Sequence, residues 1–397
     1  STRGWSYGAS VVDPRTGEIL KGHVSLGSLR IRQDFLIAQA ILNQPFKERD
    51  DQHDRMMAMA LARIRQLSAH EVGHTIGFAH NFAASAKNSA SVMDYPHPKV
   101  SLKDGNIDIS NAYDTKIGAW DKVTVAYSYS QFAPSVNEKE ALDQLLDESY
   151  QSGFRFITDA DARIAGGAHE LAHLWDNGSS AVKELEKVLQ VRKVAIQNFS
   201  EENIRSGEPY SVLEDVFVPL YFFHRYQTEA AVKLIGGLQY NYAVKGSRQT
   251  IVETLTPEKQ NDALSQVLKT ISPDVLAIPK EKLKLFPPRA YGYERTRESF
   301  RGKTGVGFDA LGAAATASDM SISLLLHPER ASRLVQQKSL DQKQLGLSEV
   351  IDQLITKTFK LKTKSAYHKE VLHVVKNNVL KHLMILANNK QAYTQAN

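Results

Sequence analysis

The chain has 397 residues, of which 42% are hydrophobic and 23% charged, with 49 basic against 44 acidic side chains, a net charge of +5 and no cysteine. This supports a folded protein of two or three domains and excludes a disordered chain, a disulfide framework, thiolate catalysis and any thiolate metal site. The positive excess is scattered rather than concentrated, and no run approaches the roughly 18 apolar residues of a membrane helix, so neither nucleic-acid binding nor a transmembrane segment is expected.

Ser1 is not an initiator methionine and residues 1–20 lack a signal-peptide pattern, so the chain reads as an excised or processed piece of a longer precursor. Residues 5–12 and 18–26 are β-rich and joined by Asp13-Pro14-Arg15-Thr16-Gly17, which predicts a hairpin. Residues 29–42 place Leu29, Phe35, Leu36, Ile37, Ile41 and Leu42 at helical spacing. After the polar stretch Lys47-Glu48-Arg49-Asp50-Asp51-Gln52, a longer helix is expected from about Asp54 to Ile76, with Met57, Leu61, Ile64 and Leu67 on one stripe. Residues 81–118 are rich in Ser, Asn, Asp, Gly and Pro and read as irregular chain. Beyond about residue 120 the patterns are helical: 137–150, 180–199, 209–227, 257–270, 308–326, 347–359 and 366–387. In the last of these, Leu372, Val375, Val379, Leu383 and Leu386 share a face, and the Pro- and Gly-rich segment 286–306 is expected to separate two helical subregions.

Chemistry concentrates at His70-Glu71-Val72-Gly73-His74. Histidines at i and i+4 lie one helical turn apart on one face and can reach the same ion. Glu71, next to the first, can face a metal-activated water without being a ligand. Gly77 and His80 continue the string; a glycine exit turns the chain back and brings His80 around as a third nitrogen ligand. Three neutral nitrogens and an open fourth position are the arrangement of a catalytic zinc (Zn2+) site. Met93 follows in Ser91-Val92-Met93-Asp94-Tyr95-Pro96, where the longer signature of such sites has a Met-turn.

Segment 70–96 resembles the active site of the metzincin clan of zinc metallopeptidases. More closely, the chain is similar to a bacterial Met-zincin family of large, mostly exported zinc-dependent metalloproteases. The residues that carry this are Trp5-Ser6-Tyr7-Gly8, Val12-Asp13-Pro14-Arg15-Thr16-Gly17-Glu18-Ile19, the active-site string with Asn81-Phe82, and Trp120-Asp121-Lys122. Weaker echoes at Leu174-Trp175-Asp176-Asn177-Gly178 and Gly307-Phe308-Asp309 extend it along most of the chain. The resemblance implies zinc held by His70, His74 and His80, Glu71 as general base and later proton donor, and Met93 as an apolar floor. Tyr95 would be a metal or oxyanion contact or a packing tyrosine, two readings that stay open. It also implies export from the cell. Two departures stand out: His80 is followed by Asn81 where several clan members carry an acid, and only 69 residues precede His70, few for the clan's upper sheet.

A second string, His169-Glu170-Leu171-Ala172-His173, with Glu184 or Glu186 as a distant ligand, is weighed as a coincidence at a helix end, because Asp176-Asn177-Gly178 ends any helix there. His97 is read as a loop histidine, Asp94 as a turn residue or a support for a ligand, and His23 as lining the cleft or facing solvent. Phe222, Phe223, His224 and Tyr226 read as core aromatics within one helix, and the Lys357–Lys364 run as a solvated face. The expectation is an α+β chain: a metzincin-like catalytic region with a small sheet and active-site helix over 1–125, then a mainly helical region over 126–397. The expected activity is zinc-dependent peptide-bond hydrolysis on a peptide or protein substrate, with strand 18–26 as an edge for substrate addition by fold analogy. A zinc-bearing but proteolytically silent scaffold and a non-peptide amide hydrolase are the alternatives.

Overall fold

The computed structural model describes residues 5–47 and 51–390; Ser1 and residues 48–50 of the polar stretch lie outside them. The fold is α+β, with three small two-stranded antiparallel sheets among the described residues, set among helices. Strand β1 (Tyr7–Val12) pairs with β2 (Ile19–Ser25), Tyr7 opposite Ser25 and Val11 opposite Lys21, with a slip in register before Val12. The connecting turn closes because Asp13 accepts the Gly17 N–H at 2.9 Å and donates its own to Glu18 at 2.9 Å. Gly17 sits there at φ +77, which only glycine adopts without strain.

Helices α1 (Leu29–Ile41) and α2 (His53–Thr75) follow, and the hairpin lies across the C-terminal half of α2. Gly8 and Gly22 permit that approach: a Cβ on Gly8 would meet the Glu71 carbonyl oxygen at 2.0 Å, and one on Gly22 would meet the Thr75 Cβ at 3.0 Å. Ser10 Oγ adds a bond to the Thr75 carbonyl at 2.6 Å. The expected apolar stripe on α2 coincides with the buried face at Leu67 but is otherwise out of phase with it. Leu61 is 47% exposed, whereas Met56, Met59, Ala60, Arg63, Gln66, Leu67 and His70 are buried. The inward face mixes polar with apolar residues because it runs into the site, so hydrophobicity alone misplaces it.

Residues 81–118 are largely irregular, with a small hairpin of β3 (Ser101–Lys103) and β4 (Asn106–Asp108). Helix α3 (Ala119–Tyr129) comes next; its β-branched and aromatic residues hide it from a propensity reading. Most later helices match expectation, among them Glu138–Gln151, Ala181–Asn198, Pro257–Thr270 and Ala366–Ala387. The run 209–227 is instead two helices, Val212–Tyr221, which holds Pro219 inside it, and Arg225–Val232. Helix Pro328–Leu340 was not expected: proline is tolerated at its first turn, and its buried face includes Arg330, which breaks the apolar pattern.

One large core extends from Ile41 and Met56 through Leu185, Phe217, Leu264 and Ala314 to Val375. Phe286 and Phe300, from the Pro- and Gly-rich segment, belong to it. Two smaller clusters, Phe82–Ile157–Ala162–Leu174 and Phe78–Val92–Met93, flank the end of α2. Among the described residues no helix is long and apolar enough to cross a membrane.

Candidate metal centre

The last turns of α2 present His70 and His74 from one face, and the chain leaves the helix through Gly77 at φ +92. That reversal returns His80 to the same point. His74 Nε2 lies 3.1 Å from His70 Nε2 and 3.1 Å from His80 Nε2, and the three donors sit within 4.8 Å of one another. Each ring is fixed from its other nitrogen. Nδ1 of His70 donates to the Val92 carbonyl at 2.7 Å, that of His74 to the Phe78 carbonyl at 2.8 Å, and that of His80 to Asp159 Oδ2 at 2.8 Å. With the Nδ1 atoms engaged as donors, three Nε2 lone pairs face a shared centre. This donor set can hold a metal ion and fits zinc.

Burial drives the His70 imidazole down to about 3 and lowers that of His80, the latter opposed by Asp159, so both favour the neutral form a metal ligand needs. Burial raises Glu71, against the nearby His74 and the Gly8 N–H facing its carboxylate. Asp159 is also pushed up by burial, but bonds from Arg163 and His80 outweigh that and hold it at about 2. It is therefore an anion in the pH range where the imidazole donates to it.

Met93 is buried directly against α2: a Cβ on Gly73 would meet its Sδ at 2.3 Å. Gly73, inside the string, is thus the vacancy that admits the methionine. The turn carrying Met93 is tied down by Asp121, which accepts from Ser91 Oγ at 2.6 Å, the Val92 N–H at 2.9 Å and the Gly118 N–H at 2.6 Å. Asp121 thereby fixes, from its N–H side, the residue whose carbonyl orients His70. Tyr95 stands over the cluster, its ring centroid 5.2 Å from that of His70 and 4.9 Å from that of His80. Trp175 stacks on the Tyr95 ring at 5.6 Å, and the Arg163 guanidinium lies 5.2 Å from its centre.

Asn81, the departure after the third histidine, joins two segments. Its side chain donates to the Arg155 carbonyl at 2.8 Å and accepts the Ile157 N–H at 3.3 Å, while its own N–H reaches the Met93 carbonyl at 3.0 Å. This seats segment 155–159 beside His80 and delivers Asp159. Asp94 does not orient a ligand; it accepts the Tyr95 N–H at 2.6 Å. His97 packs on Phe223 at 4.9 Å, and His23 faces solvent. Phe223 and His224 are core, at the junction of two helices rather than within one.

Sequence reasoning missed Asp159, Arg163 and the Trp175 stack. A readable trace of the first two existed in their i, i+4 spacing, which closes as an ion pair across the short helix Asp159–Ala162. A family model described as Met-zincin matches residues 52–366, most of the chain, and the chain belongs to that family. No curated protein and no solved structure matches it.

Proposed function

We propose, from membership in the Met-zincin family and the convergence of three oriented imidazoles beside Glu71, that the chain is a zinc-dependent endopeptidase. The single observation behind this is that the donors of His70, His74 and His80 meet while Glu71 and Tyr95 line one adjoining cavity. When bound, zinc supplies Lewis acidity that activates water and polarises a carbonyl. His70, His74 and His80 hold it as neutral ligands, oriented by Val92, Phe78 and Asp159. Glu71 accepts the proton of the attacking water and passes it to the leaving amine. The Tyr95 phenol donates to the developing oxyanion, with Trp175 and Arg163 fixing the ring. Met93 supports the histidines from the backbone side of α2. In this reading residues 1–125 form the catalytic part and 126–397 a helical part that supplies Asp159, Arg163 and Trp175. Export from the cell belongs to the same reading, carried by the family resemblance.

The test is cleavage of an unfolded protein by the zinc-loaded chain beside Glu71→Ala, with zinc content measured for both. The expected result is a loss of about 10²–10⁴-fold in rate with zinc retained. Two zinc-bearing proteins that both leave every peptide intact would favour a silent scaffold instead.

A further inference from the structure

Two cavities meet at Arg30 and Trp175. The smaller, about 170 Å³, is lined by Glu71, Tyr95, Arg30 and Arg63. The larger, about 550 Å³, continues past Arg30 and Trp175 to Arg225, Tyr226 and Arg297. Arg63 is only 3% exposed, and its one hydrogen bond to a described residue is from Nη1 to the Gln66 side-chain oxygen, a neutral acceptor. Arg225 lies over the Tyr226 ring at 4.4 Å and donates to its hydroxyl at 3.0 Å. Neither these two nor Arg30 or Arg297 forms an ion pair with any described carboxylate.

The acids along the path are mostly taken. Asp215 is held by Arg289 at 2.7 Å and Glu298 by Arg32 at 2.6 Å. Asp34 accepts from the Tyr113 hydroxyl with one oxygen; burial raises its pKa, opposed by that bond and by the charges of Arg63 and Arg30, but neither arginine bonds to it. That leaves four arginines against Asp34 and Glu71, before any dipositive ion is added. A buried guanidinium with no carboxylate bonded to it is costly, and its planar fork matches a carboxylate better than any neutral group. Resting on the peptidase reading of the same site, we propose that the cleft recognises a substrate carboxylate, seated between Arg30 and Arg63 on the Trp175 side of the scissile bond. Two sources share that chemistry: an acidic side chain and the C-terminal carboxylate of a peptide.

The experiment uses the full chain, zinc-loaded, as Glu71→Gln, so that binding is read without turnover. Labelled peptides carrying Glu or Asp are compared with their Gln or Asn isosteres, each with a free or an amidated C-terminus, by fluorescence anisotropy. The expected result is at least tenfold tighter binding of the carboxylate-bearing peptide, shrinking with added salt and largely lost in Arg30→Gln and Arg63→Gln. A preference that survives amidation assigns an acidic side chain; one that amidation removes assigns the terminal carboxylate. Should Arg63→Gln fail to fold, Arg30→Gln alone decides. Equal affinity for all four peptides would overturn the proposal. Cleavage by the wild-type chain is followed in parallel to separate the two failures. Cutting without carboxylate preference sinks this inference alone; carboxylate-selective binding without any cutting sinks the hydrolytic reading alone.

Discussion

The chain contains the same five-residue pattern twice, and the structure treats the two copies differently. At 70–74 it occupies the end of a 23-residue helix, so its histidines rise on one face and meet 3.1 Å apart. At 169–173 there is no helix, nor the helix end expected from the sequence. His169 forms an isolated bridge with Leu238, its Nε2 donates to the Tyr240 carbonyl at 2.9 Å and its Nδ1 accepts the Leu171 N–H at 3.1 Å. Glu170 pairs with Lys259 at 2.9 Å, and the distant candidate Glu184 with Lys187 at 3.2 Å. His173 is buried near Glu229 at 3.3 Å and driven down to about 4 by desolvation, which Glu229 opposes. The pattern brings its imidazoles together only where a helix sets the spacing and a bond at each Nδ1 turns Nε2 inward. In the second copy the ring nitrogens of His169 instead tie down local backbone.

The sharpest way to break this comparison is to remove one histidine from each copy. His74→Ala should abolish zinc retention, whereas His173→Ala should retain full zinc and lose about 1–3 kcal/mol of stability. Metal analysis after gel filtration, with denaturant unfolding of both variants, decides. Zinc loss from a folded His173→Ala would show that the second copy matters to the centre. Next in size, Asp159→Asn should weaken zinc about 10–100-fold by loosening His80, measured by competition with a chelator. An unchanged affinity would mean that the ring is held by packing alone. Gly73→Ala should destabilise the fold by about 1–3 kcal/mol, because its methyl collides with Met93 Sδ. Pairing it with Met93→Ala should recover part of that loss, as seen by thermal denaturation.

The smallest effect concerns Asp176, just beyond the second copy. Burial raises it to about 7 from the usual 3.8. The folded chain then holds a proton more tightly than the unfolded one across that window. Its contribution is complete below the unfolded value and is lost as pH rises towards the folded one. Asp176→Asn should therefore gain stability relative to wild type as pH climbs from about 4 to 7. Parallel melting curves at the two ends of that range would expose a constant difference if Asp176 titrates normally.

Legibility followed the range of the interactions. The convergence of His70, His74 and His80 and the turn at Gly77 could be read because their geometry is local. The hairpin and the helix Ala366–Ala387, with Val375 and Val379 fully buried, were equally plain. Asp159, 79 residues beyond His80, was not, because nothing in its neighbourhood announces that Asn81 will draw it in. The phase of α2 failed for a related reason. Arg63 and Gln66 are buried in service of the site, and a hydrophobicity pattern counts them as surface.

The bond from His80 to Asp159 also has a bearing on synthesis. A chain growing from its N-terminus exposes all three histidines well before residue 159 exists, and domains tend to fold in the order they emerge. Until segment 155–159 has been made and docked on Asn81, the third imidazole lacks the carboxylate that aims it. The arrangement of three oriented imidazoles therefore depends on sequence that leaves the ribosome 79 residues after the third histidine.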